Sequence, residues 1–279
     1  MSASRSKARR TVGLGAGLVI LGFLAWALAS EWHRVSDYQW ELRWGWLVGG
    51  ALLVLVQYLL FGAAYIVLVE RLADRRVDRG RMLAVWARSL LGRYVPGNFL
   101  MVASRTLLAG EAGVSKRVAL AATVYEQVFL LAAAAVGSVT FLVLYGGGGQ
   151  GVWVWLTCAV PVLLVLLDPR VFKWLSTWAL VRADREPLRI FLSPGRVAGF
   201  FVLYSLTTLI LAAGIWALVH SAAGAEAGDP AFVGLASLLS FVVSMIVFIF
   251  PSGIGVREGV FALVLSRNVP FSVAVALAA

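Results

Sequence analysis

Cysteine and histidine are nearly absent from this sequence. Cys158 is the only cysteine, which excludes a disulfide framework and a thiolate metal site. The two histidines, His33 and His220, stand far apart, and neither an HExxH nor a GxSxG motif occurs. Because no nucleophile can be paired with a base, we expect no catalytic residue, no metal, no cofactor and no enzymatic activity.

Charged residues are scarce as well. They make up 14% of the chain, whereas typical soluble domains contain about 25%. The apolar residues form blocks of about 20, which is long enough for a helix to cross a bilayer. The sequence therefore predicts an all-α polytopic membrane protein. The net charge of +10 does not indicate nucleic-acid binding, since the Lys and Arg residues cluster in a few polar segments, as in cytoplasmic loops.

We predict a single transmembrane domain at residues 12–279, preceded by a basic cytoplasmic tail at residues 1–11. The predicted spans are 12–30, 44–69, 118–145, 151–167 and 197–219. The first span has a rival interpretation as a secretory signal peptide, but its apolar core is longer than that of most signals. Residues 271–279 are apolar but too short to cross a bilayer, and we expect them to begin an incomplete last helix.

Residues 231–267 are apolar but interrupted. The interruption contains Pro251, Gly253 and Gly255, and the adjacent Arg257 and Glu258 follow it. Proline removes a backbone donor, and glycine permits backbone angles that other residues avoid. Non-helical backbone at membrane depth needs protein or a water-filled cavity beside it, and ionisable residues there are usually functional. This segment predicts a re-entrant helical hairpin beside a charged cavity.

A second interrupted segment covers residues 82–108. Pro96 and Gly97 break it, and Arg93 and Arg105 lie on either side of the break. Two interfacial helices are the simpler interpretation. We favour a second re-entrant hairpin, because broken segments at corresponding places in two halves indicate a binding site and an inverted repeat. The segments rich in Lys and Arg are expected on the cytoplasmic side of the membrane. Loops then alternate between the two sides only if residues 82–117 enter and leave the membrane on the cytoplasmic side.

Glu126 lies within the apolar span at residues 118–145. A carboxylate at that depth needs a cationic partner or a proton. Two roles remain open, since such a residue can contact a ligand or form a salt bridge that holds two helices together.

Together these motifs resemble the flippase-like membrane domain family, which includes the transmembrane region of lysylphosphatidylglycerol synthase. The resemblance runs from about Val12 to the end of the chain. One difference is Gln127, which stands where family members often have arginine, so a sequence-adjacent partner for Glu126 is not expected. The motifs are Gly92-Arg93-Tyr94-Val95-Pro96-Gly97, Arg105, the helix with Glu126, and Pro251-Ser252-Gly253-Ile254-Gly255-Val256-Arg257-Glu258-Gly259.

The resemblance implies a helix bundle with two re-entrant hairpins that moves or presents a lipid with a charged head group. Candidate lipids are aminoacylated phospholipids and polyprenyl-phosphate-linked sugars. The resemblance assigns substrate contacts to Arg93, Arg105, Glu126, Arg257 and Glu258. Arginine suits such a ligand because its guanidinium matches phosphate oxygens bidentately. The resemblance also assigns the backbone breaks to Pro96, Gly97, Pro251, Gly253 and Gly255.

A non-transporting role is the alternative. The chain would then anchor a separate glycosyltransferase or lipid-modifying enzyme at the membrane. The sequence contains no soluble lysyl-transferase domain, so lipid lysinylation by this chain is not expected. Glycine-rich helix faces permit a homodimer. We expect the protein in the plasma membrane with its N-terminus in the cytoplasm.

Overall fold

The computed structural model describes residues 22, 38, 40, 42–94, 99–146, 171, 191–246 and 255–278. The elements in these ranges are all helical, which confirms the predicted all-α class. Two 3-10 segments, Leu91–Tyr94 and Gly224–Ala227, accompany the α-helices. The α-helices are α1 (Trp44–Ala73), α2 (Arg79–Leu90), α3 (Phe99–Glu111), α4 (Lys116–Tyr145), α5 (Pro194–Ala223), α6 (Pro230–Ile246), α7 (Val256–Leu265) and α8 (Phe271–Ala278).

Three described helices are long and apolar enough to cross a membrane. They are α1, α4, and α5 together with its 3-10 extension. These helices correspond to the predicted spans 44–69, 118–145 and 197–219, and they confirm the membrane class. The predicted spans 12–30 and 151–167 and the tail at residues 1–11 lie outside the described residues.

Helices α1 and α5 extend beyond the predicted spans into segments that we expected to be loops. Helix α1 continues to Ala73 and ends at Asp74, whose left-handed backbone (φ 50°) lets its N–H donate to the carbonyl of Glu70. Helix α5 continues to Ala223, four residues beyond the predicted span, so His220 lies in its last turn. Hydropathy shows where the side chains stop being apolar enough for the membrane interior. The helix itself continues until a residue interrupts its backbone hydrogen bonds.

Helices α1 and α5 pack closely because glycines face each other where they cross. A Cβ atom added to Gly50 would come within 2.9 Å of the Gly214 carbonyl oxygen and of the Leu218 backbone nitrogen. Small residues of this kind let two membrane helices approach at backbone distance. Together with α4, these two helices form the frame against which the shorter helices pack.

The helices on either side of each predicted break pack against each other. Helix α2 contacts α3, and α6 contacts α7. At the first pair, a Cβ atom on Gly92 would lie 2.7 Å from the Met101 backbone nitrogen, so the chain passes itself closely there. The break residues Pro96, Gly97, Pro251 and Gly253 lie outside the described residues. The depth of these hairpins in a bilayer and the inverted repeat stay predictions.

Candidate functional site

Arg105 and Glu126 form a buried ion pair at the centre of the described helices. Arg105 comes from α3 and Glu126 from α4, and neither side chain is accessible to solvent. The Arg105 guanidinium donates through Nη1 to Glu126 Oε2, and its Nε donates to the Ser89 hydroxyl at 2.8 Å. The Trp86 indole N–H donates to the other carboxylate oxygen, Oε1, at 3.0 Å. The pair therefore connects three helices, α2, α3 and α4.

Aromatic rings enclose this pair. The Arg105 Cζ atom lies 4.8 Å from the ring centroid of Tyr65 on α1 and 5.9 Å from that of Trp86. A desolvated guanidinium over an aromatic face is held by cation–π attraction. Arg105 Nη2 is buried and has no hydrogen-bond partner among the described residues. The rings and hydrogen bonds compensate most, but not all, of the cost of burying this arginine.

This geometry fits the structural alternative that was open for Glu126. The two charges pair with each other, and neither residue is among those that line the cavity described next. The partner of Glu126 lies on a different helix, consistent with Gln127 standing in place of an adjacent arginine. The substrate contacts that the resemblance assigned to Arg105 and Glu126 stay a prediction, and in the structure Glu126 accepts a hydrogen bond from Trp86, which lines the cavity described next.

A cavity of about 520 Å³ lies between the helices, within the size range of ligand pockets. Its walls come from α1, α2 and α4 to α8, and most of the lining side chains are apolar. Trp86 lines this cavity with its ring while its N–H holds Glu126. The buried pair therefore positions one wall of the cavity.

Arg257 and Glu258 bring charge to the same cavity. They belong to the first turn of α7, and the Arg257 guanidinium lies 3.0 Å from Glu258 Oε1. The second carboxylate oxygen accepts the Gly255 N–H at 2.8 Å, which caps the helix. Gly255 has φ 85°, a backbone angle that suits glycine. The Arg257 side chain is 57% exposed, so part of its guanidinium is accessible to a ligand.

Uncharged polar side chains also line the cavity, and the sequence did not indicate them as site residues. Ser237 and Ser240 face it from α6, and each hydroxyl donates to a carbonyl of its own helix. Gln57 faces it from α1, is 4% exposed, and its Oε1 has no partner among the described residues. Such a side chain can hydrogen-bond to a ligand. The serine spacing of three residues was the available signal.

The other assigned residues are only partly described. Arg93 belongs to the 3-10 segment after α2, but its side chain lies outside the described part. The structure thus brings together Arg105 with Glu126 and, separately, Arg257 with Glu258. Within the described ranges, no group of three or more His, Cys, Asp or Glu residues is arranged to hold a metal ion.

Residues 13–279 match the family described as the lysylphosphatidylglycerol synthase TM region. No curated protein and no solved structure matches the chain. The matched region includes the buried pair, the cavity and both interrupted segments. The chain belongs to the family of the lysylphosphatidylglycerol synthase TM region.

Proposed function

We propose that the protein is a membrane lipid translocase that moves or presents a lipid with a charged head group through the cavity. The observation that carries this proposal is the combination of a mainly apolar lining with one charged pair in it, Arg257 and Glu258. An apolar lining suits acyl or prenyl chains, whereas a guanidinium suits a phosphate. Family membership supports a function connected with membrane lipids.

The charged pair can bind a zwitterionic or anionic head group. Arg257 offers its guanidinium to phosphate oxygens, and the first N–H groups of α7 add positive potential. Glu258 offsets part of this charge and interacts with a cationic group on the same head group. Gln57, Ser237 and Ser240 supply polar contacts farther along the cavity.

The test is transbilayer movement of fluorescent lipids in vesicles that contain the purified protein. Lipids with anionic, zwitterionic and polyprenyl-phosphate head groups are compared. We expect movement of one head-group class, and we expect Arg257→Gln to abolish it while the fold is kept, since this side chain is mostly exposed. Arg257→Lys keeps the charge but loses the bidentate geometry, and we expect it to retain partial activity.

Arg88→Gln is the matched control, because Arg88 is exposed on α2 and does not line the cavity. If Arg257→Gln moves lipid at the wild-type rate, Arg257 does not bind the head group and its assignment is refuted. No movement of any lipid by folded wild-type protein would refute translocation. That result would favour the alternative, a membrane anchor for a separate glycosyltransferase or lipid-modifying enzyme, and co-purification of such a partner would then be tested.

A further inference from the structure

A second cleft lies at the opposite end of α1 from the cavity. Its volume is about 390 Å³, also within the range of small-ligand pockets. Between Phe61, the last residue of α1 that lines the cavity, and Val67, the first that lines the cleft, α1 rises by about 9 Å. The cleft is lined by Val67, Glu70, Arg71, Asp74, Arg75, Arg76, Arg79 and Arg196.

Five arginines and two carboxylates line this cleft, which gives a formal net charge of +3 (five minus two). Glu70 already binds Arg79, with Oε2 3.2 Å from its Nη2. Arg75 donates to the Gly113 carbonyl in the turn between α3 and α4. Arg71, Arg76 and Arg196 are exposed and have no side-chain hydrogen bond or ion pair among the described residues. Arg76 also interacts electrostatically with Glu70, so within the described part of the chain the guanidinium groups of Arg71 and Arg196 are the least engaged of the five.

The fold holds these arginines around one space. The left-handed turn at Asp74 reverses the chain after α1, so Arg71 and Arg76 stand on either side of it. Arg196 comes from the first turn of α5, more than 100 residues later, where Pro194 starts the helix and Val197 is buried. Cytoplasmic loops of membrane proteins are generally rich in Lys and Arg, which explains the number of arginines here. It does not explain why arginines from α1 and from α5 line the same cleft.

We propose that this cleft binds a phosphate-bearing anion, either the head group of an anionic phospholipid or a soluble phosphate compound. Arg71, Arg76 and Arg196 donate to the phosphate oxygens, since guanidinium groups match them bidentately. Val67 is the apolar residue in the lining and can contact the first carbon atoms of a lipid. Basic pockets between membrane helices at the membrane surface are suited to anionic head groups. This site is separate from the cavity of the proposed function.

The test measures binding of phosphatidylglycerol, phosphatidylcholine and inorganic phosphate to the purified full chain in detergent. We compare the wild type with Arg71→Gln/Arg76→Gln. We expect phosphatidylglycerol but not phosphatidylcholine to bind tightly, and the double variant to bind it about tenfold more weakly or worse, because it loses charge-assisted hydrogen bonds. Displacement by inorganic phosphate would identify the phosphate as the recognised group.

The matched control is Arg81→Gln/Arg88→Gln, which removes the same charge from exposed residues outside the cleft. It should bind like the wild type. Binding of phosphate alone, with no lipid binding, would assign the cleft to a soluble ligand. Equal loss in the two double variants, or no binding of any probe by the wild type, would overturn the proposal. Circular dichroism confirms the helical fold of each variant, and Arg196→Gln provides an independent single substitution.

Discussion

At the scale of single residues, the Arg105–Glu126 pair shows how this chain keeps two charges in an apolar interior. The two charges pair with each other, and Ser89 and Trp86 add hydrogen bonds, while Arg105 Nη2 has no partner among the described residues. Removing the whole pair costs less than removing one member, because a lone buried charge has no compensation. The pair therefore acts as a connection between helices, and its correct formation positions Trp86 in the wall of the cavity.

This arrangement predicts strong coupling between the two residues. Arg105→Leu and Glu126→Leu are each expected to lower the free energy of unfolding by about 3–5 kcal/mol, since each leaves a buried charge unpaired. The double variant should lose clearly less than the sum of the two. Unfolding in detergent micelles, measured for the four proteins of the cycle, gives the coupling energy. If the losses of the two single variants sum to the loss of the double variant within about 0.5 kcal/mol, the pair is not coupled.

The sequence indicated that Arg105 and Glu126 need a stabilising partner, but it did not show that they pair with each other. Arg105 and Glu126 stood out because charges at membrane depth need a reason. Their contact depends on which faces of α3 and α4 meet, and that is decided by tertiary packing. Gln57 is a polar residue in the middle of an apolar span, and only the structure shows that it faces the cavity with an Oε1 that has no partner among the described residues. A polar residue in an apolar run signals a partner without saying whether the partner is protein or ligand.

At the scale of elements, hydropathy predicted which segments of the described chain are spanning helices but not where each helix ends. The ends follow local features such as the left-handed Asp74 and Gly224 with φ 61°. The α1–α5 contact joins segments about 150 residues apart, and periodicity in one helix does not reveal its neighbour. Glycines at Gly50 and Gly214 mark that contact only once the structure shows what they face.

The crossing of α1 and α5 predicts that two neighbouring glycines respond differently to alanine. Gly50→Ala places its methyl group 2.9 Å from backbone atoms of α5, and we expect it to destabilise the protein by about 1–3 kcal/mol. At Gly49 a Cβ meets no described atom within 4 Å, so Gly49→Ala should be neutral or stabilising by up to about 1 kcal/mol. Thermal unfolding of the two variants compares them directly. Equal stabilities would contradict a close crossing at Gly50.

At the scale of the whole molecule, the cavity is a product of the assembled fold. Its lining comes from α1, α2 and α4 to α8, so no single stretch of sequence encodes it. The interrupted segment near Arg257 predicted a charged cavity, and Arg257 and Glu258 are among the residues that line this one. Its volume and its serine and glutamine lining depended on helices whose arrangement only the structure provides. The basic cleft, at the other end of α1, likewise needs two distant helix ends to meet.

If the cavity is the route of the lipid, filling it should stop movement without unfolding the protein. Leu211 on α5 lines the cavity, so Leu211→Trp is expected to reduce lipid movement in vesicles to the background rate. Leu209 lies two residues away, which turns it to the other side of the helix, and it is 55% exposed. Leu209→Trp therefore adds the same ring outside the cavity and should move lipid like the wild type. Equal activity of the two folded variants would place the route elsewhere, whereas equal loss would show that tryptophan disturbs α5 as a whole.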